Sequence, residues 1–163
     1  MIITSSHKNW KSKKYEMYSI SGNRGKDAGY TGKCYPKLAP KYSFWEIWHY
    51  NIGKRGDEEN NMFYIEKYYE HVLSKLNPEE VYNDLDNSVL LCYEDNNDFC
   101  HRHIVSAWFE LTLGVETCEA KINKGKIEIV DRPESIKEYL EKVMNKEIIE
   151  QDNMSKICKK KNK

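Results

Sequence analysis

Short apolar runs at three places in the first 93 positions predict β-strands. Residues 1–5 (MIITS) are apolar and β-branched, and a polar stretch follows them, which is typical of a strand that leads into a loop. Residues 15–21 alternate loosely between apolar and polar side chains and predict a second extended segment. Residues 88–93 (SVLLCY) are apolar without alternation, as expected of a central strand that is covered on both faces.

Longer segments place their apolar residues at helical spacing. Residues 60–76 and 99–113 repeat apolar side chains every three or four positions, which predicts helices with one buried face. Residues 43–48 predict a short aromatic helix with Ser43 as its N-cap. Pro78 suits the first turn of a further short helix.

The last 46 residues predict a strand pair and a helix. Residues 118–122 and 126–130 flank an Asn-Lys-Gly turn, which predicts either a hairpin or two edge strands. Residues 133–150 have the spacing of an amphipathic helix. Residues 151–163 are rich in lysine and predict a basic tail.

Length and composition fit one domain. The chain has 163 residues, of which 39% are hydrophobic and 32% charged, and this is enough to build a core. The order of predicted elements favours an α/β fold with a mostly parallel central sheet flanked by helices. We assign residues 1–130 to the core domain and residues 131–163 to the C-terminal helix and tail.

The charge balance and the cysteines limit the classes of partner and location. Lys plus Arg equal Asp plus Glu at 26 each, so nucleic acid or an anionic membrane would need a local patch. The basic tail is such a patch for nucleic acid, although terminal lysine runs are usually solvated. No segment reads as a leader or reaches membrane-spanning length. Five cysteines form an odd set that suits reduced thiols, so we expect a cytoplasmic protein without a membrane partner.

The polar loop between the strand at 88–93 and the helix at 99–113 is the expected site. Ligands usually bind in the crevice at the carboxyl end of a central strand. The helix start adds unpaired amides and the positive end of the helix dipole, which stabilise an anion or a thiolate. The candidate catalytic residues are Cys92, Glu94, Cys100, His101 and Arg102.

Three interpretations of these residues stay open. In the first, Cys100 in the first helical turn, or Cys92, is a nucleophile with His101 as its acid or base. Glu94 then moves or orients a proton, and Arg102 holds an anionic group of the substrate. In the second, a zinc ion is bound by Cys92, Cys100, His101 and His103. Adjacent helical side chains point about 100° apart, which makes this ligand set awkward, and we assign no metal. In the third, the cysteines and histidines only pack.

The glycine-rich loop at 22–37 is the expected substrate contact. Its lysines and arginine suit a phosphate-bearing ligand, and its tyrosines suit stacking on a base. A solvated surface loop is the alternative. The candidate substrate-binding residues are Ser21, Gly22, Asn23, Arg24, Lys26 and Tyr35.

Two segments carry a family resemblance. Residues 90–94 read LLCYE and residues 99–103 read FCHRH. This order resembles the signature of the DUF488 family, in which a Cys-x-Glu element ends a strand and a Cys-His-Arg element opens a helix. Residues 20–22 and 30–40 are similar to a branch of that family, and the resemblance extends over residues 2–114.

The resemblance implies an α/β domain of unsettled activity whose signature residues are the five candidate catalytic residues. Residues 22–26 depart from the more apolar, proline-containing stretch expected of relatives, so substrate recognition is expected to differ. We expect an enzyme that acts on a phosphate-bearing nucleotide or a nucleic-acid component without a cofactor. The alternative is a non-catalytic module that binds a small anionic ligand or nucleic acid, with a structural or zinc-binding Cys/His cluster.

Overall fold

The computed structural model describes the backbone of residues 1–161 and the side chains of residues 1–147, 149 and 150. This part of the chain forms six strands and five α-helices. The strands are β1 (Ile2–Ser6), β2 (Glu16–Ser19), β3 (Lys33–Cys34), β4 (Ser88–Cys92), β5 (Thr117–Asn123) and β6 (Lys126–Val130). The helices are α1 (Tyr42–Tyr50), α2 (Asp57–His71), α3 (Pro78–Leu85), α4 (His101–Leu113) and α5 (Ser135–Lys161).

The strands form one sheet in the order β3-β2-β4-β1-β5-β6. Every neighbouring pair is parallel except β5 and β6. β4 lies between β1 and β2 and is buried along its whole length, as its unbroken apolar run predicts. The α/β class and the mostly parallel sheet are therefore confirmed.

The two faces of the sheet are covered differently. Leu90 of β4 points into the larger apolar cluster, to which all five helices contribute side chains. Val89 and Leu91 point to the other face, because side chains alternate along a strand. A smaller cluster covers that face with Ile3, Trp10, Val89, Leu91 and Ala120. Helices thus pack on one face, whereas Trp10, from the segment after β1, closes the other.

Helix boundaries follow the predictions with local corrections. The N-cap of α1 is Lys41 and not Ser43, and no side chain caps that helix. α2 ends at His71, and a separate 3-10 turn at Leu73–Lys75 follows where one long helix was expected. α3 starts at Pro78 as predicted, and the side chain of Asn77 caps it.

The segment that follows β4 sets up the site. α4 begins at His101, so Cys100 occupies the N-cap position and not the first turn. The last residue of α4 is Leu113, and its C-cap is Gly114, whose φ of 65° is the left-handed conformation that commonly terminates helices. β5 and β6 form an antiparallel hairpin, which decides between the two arrangements that the sequence allowed.

The C-terminal helix extends further than its apolar pattern predicts. α5 continues to Lys161, and its residues Ile136 and Leu140 belong to the larger core cluster. The side chains of the predicted basic tail, residues 151–163, lie outside the described part of the structure. The division of the chain at residue 130 stays a prediction. Among the described helices, none combines the length and hydrophobicity required to cross a membrane.

Candidate functional site

The candidate site lies at the carboxyl edge of the sheet, where β1, β2 and β4 end side by side. Ser6 pairs with Cys92, and Ser19 pairs with Leu91. The loops that follow these parallel strands therefore gather into one crevice. Cys92 is the last residue of β4, and Cys100 stands immediately before α4.

Four of the predicted catalytic side chains meet at this edge. Sγ of Cys100 lies 2.9 Å from Oε2 of Glu94 and 3.9 Å from Nδ1 of His101. Sγ of Cys92 lies 3.4 Å from the same carboxyl oxygen and 3.5 Å from the same ring nitrogen. Two buried thiols therefore share one carboxyl group and one imidazole.

The main chain orients His101. Its Nε2 lies 3.0 Å from the carbonyl oxygen of Ile20, so the Nε2–H group donates to that carbonyl and Nδ1 faces the thiols. Burial disfavours the charged ring, but the hydrogen bond and negative charge of Cys100, together with the charge of Glu94, raise the pKa of His101. These contacts thus favour the protonated form of the imidazole beside the sulfurs.

The thiol of Cys100 is the more acidic of the two. Burial opposes its ionisation, but a hydrogen bond from the Cys92 thiol and the positive charges of Arg102 and His101 outweigh burial, and its pKa falls well below the usual value. Burial and the hydrogen bond with Cys100 raise the pKa of Cys92 well above its usual value. Burial and the charge on Cys100 also raise the pKa of Glu94 to about 7. The site therefore favours a thiolate on Cys100 beside a carboxyl group that holds a proton near neutral pH.

This cluster borders a cavity of about 450 Å³ with aromatic walls. The rings of Tyr42 and Trp45 stack with their centroids 5.8 Å apart. The aromatic side chains that line the cavity are Tyr42, Trp45, Trp48, Tyr64, Tyr93 and Phe99. The cavity therefore places aromatic faces beside the thiol of lowered pKa.

Comparison with known proteins supplies the family. A family model named DUF488-N3a, with the description "Active DUF488-N3 subclade", matches residues 13–113. The chain belongs to the DUF488 family. Searches of curated proteins and of solved structures gave no match. The range matched by the DUF488 model contains the thiol cluster, which consists of Cys92, Glu94, Cys100 and His101. Two residues described below, His7 and Glu119, lie outside that range.

Arg102 of the DUF488 signature lies inside the protein and away from the cavity. Its side chain is fully buried, and Nη2 lies 3.0 Å from Oε1 of Glu119 on β5. The same nitrogen donates to the carbonyl oxygen of Asp95 at 2.8 Å. The carboxylate of Glu119 also accepts hydrogen bonds from Thr4 and Asn96. Arg102 does not line the cavity, which corrects the expectation that it holds an anionic group of the substrate.

The predicted substrate-binding residues of the DUF488 domain divide into two groups. Those that line the cavity are Ser21, Gly22 and Asn23. Arg24 and Lys26 are exposed and do not line it. Tyr35 is buried in the core, and its hydroxyl donates to the carboxylate of Asp84 at 2.7 Å. Tyr35 therefore has a structural contact in place of the predicted ligand contact.

The sequence did not predict a row of hydrogen-bonded polar side chains that ends at the cavity. Nε2 of His7 lies 3.3 Å from Oγ of Ser19, which lies 2.8 Å from Oγ of Ser21. Burial and the positive charges of Lys11 and Arg102 lower the pKa of His7 to about 4, so its ring is neutral at pH 7. The signal in the sequence was a histidine directly after a short buried strand, at the edge where ligands bind.

Three side chains of the types that bind metal ions also lie close together. Sγ of Cys92, Sγ of Cys100 and a ring nitrogen of His101 all lie within 4.8 Å of one another, and zinc prefers these ligand types. His103 does not join them, because its Nδ1 faces Glu119 at 3.6 Å. Among the described residues, the structure thus brings together three of the four ligands in the zinc interpretation.

Proposed function

We propose that this DUF488 domain is an enzyme whose nucleophile is the thiolate of Cys100. The observation that carries the proposal is the placement of Cys100 between His101 and Glu94 at the edge of an aromatic cavity. A thiolate is the reactive form of cysteine, and a neighbouring imidazolium is a common means of keeping it ionised at neutral pH. The description of the matching family model as an active subclade is consistent with catalysis.

The neighbouring groups suit covalent catalysis. Attack by the thiolate on an electrophilic carbon forms a bond from sulfur to the substrate and releases a leaving group that needs a proton. Glu94, with a pKa of about 7, is suited to supply that proton and to take one back from water in the second step. His101 stays hydrogen-bonded to the main chain and stabilises the thiolate before the attack.

The side chains that line the cavity support a nucleotide or a nucleic-acid component as the substrate. Aromatic side chains stack on any base, and each contact of this kind contributes about 1–3 kcal/mol. Asp27 and Glu94 line the cavity, and no lysine or arginine does so among the described residues. A base therefore suits the interior, whereas a phosphate suits the exposed side chains of Arg24 and Lys26, which adjoin the lining residues Asn23 and Asp27 in sequence.

Alkylation of Cys100 tests the nucleophile. A thiol of ordinary pKa, about 8.5, is only about 3% ionised at pH 7, so we expect iodoacetamide to modify Cys100 about tenfold faster than a cysteine in an unstructured peptide at that pH. The rate at Cys100 should fall less between pH 9 and pH 6 than the rate of a thiol of ordinary pKa, because the pKa of Cys100 is lowered well below its usual value. His101→Gln should restore an increase in rate with pH. An ordinary pH profile for Cys100 in the native protein would contradict the proposal.

Protection tests the substrate class. A nucleoside monophosphate should slow the alkylation of Cys100, because the base occupies the cavity beside the thiol. Trp45→Ala removes a stacking surface and should weaken this protection, whereas Ile129→Ala changes an exposed side chain on β6 and serves as the control. A ribose phosphate without a base should protect poorly. Equal protection by both compounds would argue against base recognition.

A binding module with zinc is the second candidate, and the cluster of three ligand atoms favours it. Two thiolates and an imidazole would hold the ion, and Glu94 or water would complete a tetrahedral set. Protein purified without chelator or added zinc should then contain about one equivalent of zinc, and Cys92→Ser should reduce that content. Under this alternative Cys100 resists alkylation until a chelator is added, which separates the two candidates.

A further inference from the structure

Cys92 and Cys100 form a pair that the other described cysteines do not match. Their sulfurs lie within 4.8 Å of one another, and both residues line the same cavity. Cys34 instead contacts the carbonyl oxygens of Arg24 and Gly32. Cys118 lies on β5, packed beside the smaller core cluster. The pair is therefore open to a small reagent from the cavity.

The backbone differs between the two cysteines. Cys92 ends the fully buried strand β4, so its position is fixed by the sheet. Cys100 has extended backbone angles, φ −152° and ψ 147°, and follows a loop of residues 93–99 outside regular secondary structure. A disulfide requires the sulfurs to approach to about 2.05 Å. Because Cys100 adjoins a loop and Cys92 a strand, we expect the Cys100 side chain to make this approach.

The geometry points to a reversible disulfide between Cys92 and Cys100, formed by reaction with a hydroperoxide that enters the cavity. This inference goes beyond the proposed function and does not require the site to be catalytic. It assigns to Cys92 the part of a resolving cysteine, because this thiol stands beside Cys100 and lines the cavity with it.

The reaction consists of two displacements. The thiolate of Cys100 attacks one peroxide oxygen, so an S–O bond forms, the O–O bond breaks, and the departing oxygen takes a proton and leaves as water or an alcohol. The Cys92 sulfur then attacks the Cys100 sulfur, so the S–S bond forms, the S–O bond breaks and water leaves. The two thiols lose two electrons and the peroxide gains them. Glu94, in contact with both sulfurs, is placed to carry the protons.

Disulfide formation would remove the thiolate from the cavity. Both sulfurs would then be unreactive towards an electrophile, so the proposed enzyme would be inactive in oxidising conditions and active again after reduction. The loop 93–99 would be held closer to β4, which changes the wall formed by Tyr93 and Phe99. The same pair of residues would therefore serve as the redox control of the site.

Peptide mass spectrometry tests the disulfide directly. The chain has no lysine or arginine between Leu76 and His101, so trypsin releases Cys92 and Cys100 on one peptide, residues 76–102. The full-length protein, freed of metal with a chelator, is treated with hydrogen peroxide, and free thiols are then alkylated. We expect this peptide to lose both alkylation sites and to be lighter by two hydrogen atoms than the reduced peptide before alkylation. Dithiothreitol should restore both sites.

Two variants complete the test. Cys34→Ser keeps the pair and should give the same intramolecular disulfide. Cys92→Ser removes the resolving thiol, so Cys100 should accumulate as a sulfenic acid that dimedone traps. Peroxide treatment that leaves both cysteines of the native protein free, or oxidises Cys100 directly to a sulfinic acid, would overturn the inference. A reactive Cys100 without a disulfide would leave the proposed nucleophile standing, so the two ideas fail separately.

Discussion

Removal of the charge of Glu119 is expected to destabilise the fold more than any surface charge change. Arg102 and Glu119 have no solvent-exposed side-chain surface, and their closest atoms are 3.0 Å apart. At that distance two unit charges attract by about 5.5 kcal/mol if the effective dielectric constant is about 20. Glu119→Gln keeps the size of the side chain but removes the carboxylate that pairs with the buried guanidinium, so we expect a loss of about 3–5 kcal/mol in the free energy of unfolding.

Urea unfolding followed by tryptophan fluorescence measures this loss, since Trp10 and Trp108 are buried. The midpoint should fall while the dependence on urea concentration stays constant. The double variant Arg102→Met with Glu119→Leu should be less destabilised than Glu119→Gln alone, because it removes both charges of the pair.

A matched control lies on the hairpin of β5 and β6. Glu128 pairs with Lys121, and both side chains are more than a third exposed, so Glu128→Gln should leave the free energy of unfolding unchanged within error. A loss below about 1 kcal/mol for Glu119→Gln would refute the reasoning, since it would mean that water reaches Arg102 or that the pair is not formed.

Two further substitutions test local features of the fold by the same unfolding measurement. Gly25→Ala should lower the free energy of unfolding by about 1–3 kcal/mol. Gly25 has a φ of 81°, and a Cβ there would lie 2.7 Å from the ring of His7 and 2.8 Å from Cβ of Tyr30. Unchanged stability would show that the loop moves freely. Asn77→Ala should cost about 1 kcal/mol, because the Asn77 side chain accepts hydrogen bonds from the first amides of α3, and Asn77→Asp should retain most of the stability.

The electrostatics of the thiol cluster depend on contacts between distant parts of the chain. Glu94, Cys100 and His101 are close in sequence, and their proximity follows from a strand that ends just before a helix begins. The orientation of His101 depends on the carbonyl of Ile20, which lies 81 positions away. The sequence therefore identified the members of the cluster, whereas the direction of the imidazole came from the residue that follows β2.

The sequence by itself determined the order of the helices and of every strand except β3, which lies in the segment expected to be a loop. It also determined the burial of β4 on both faces and the thiol cluster at its end, because these follow from local periodicity and from the spacing of residues 92, 94, 100 and 101. Only the tertiary structure decided that Arg102 faces Glu119 and that His7 reaches Ser19. The physical reason is that such contacts depend on strand order and register. β4 inserts between β1 and β2, and no local pattern of apolar and polar residues specifies that order.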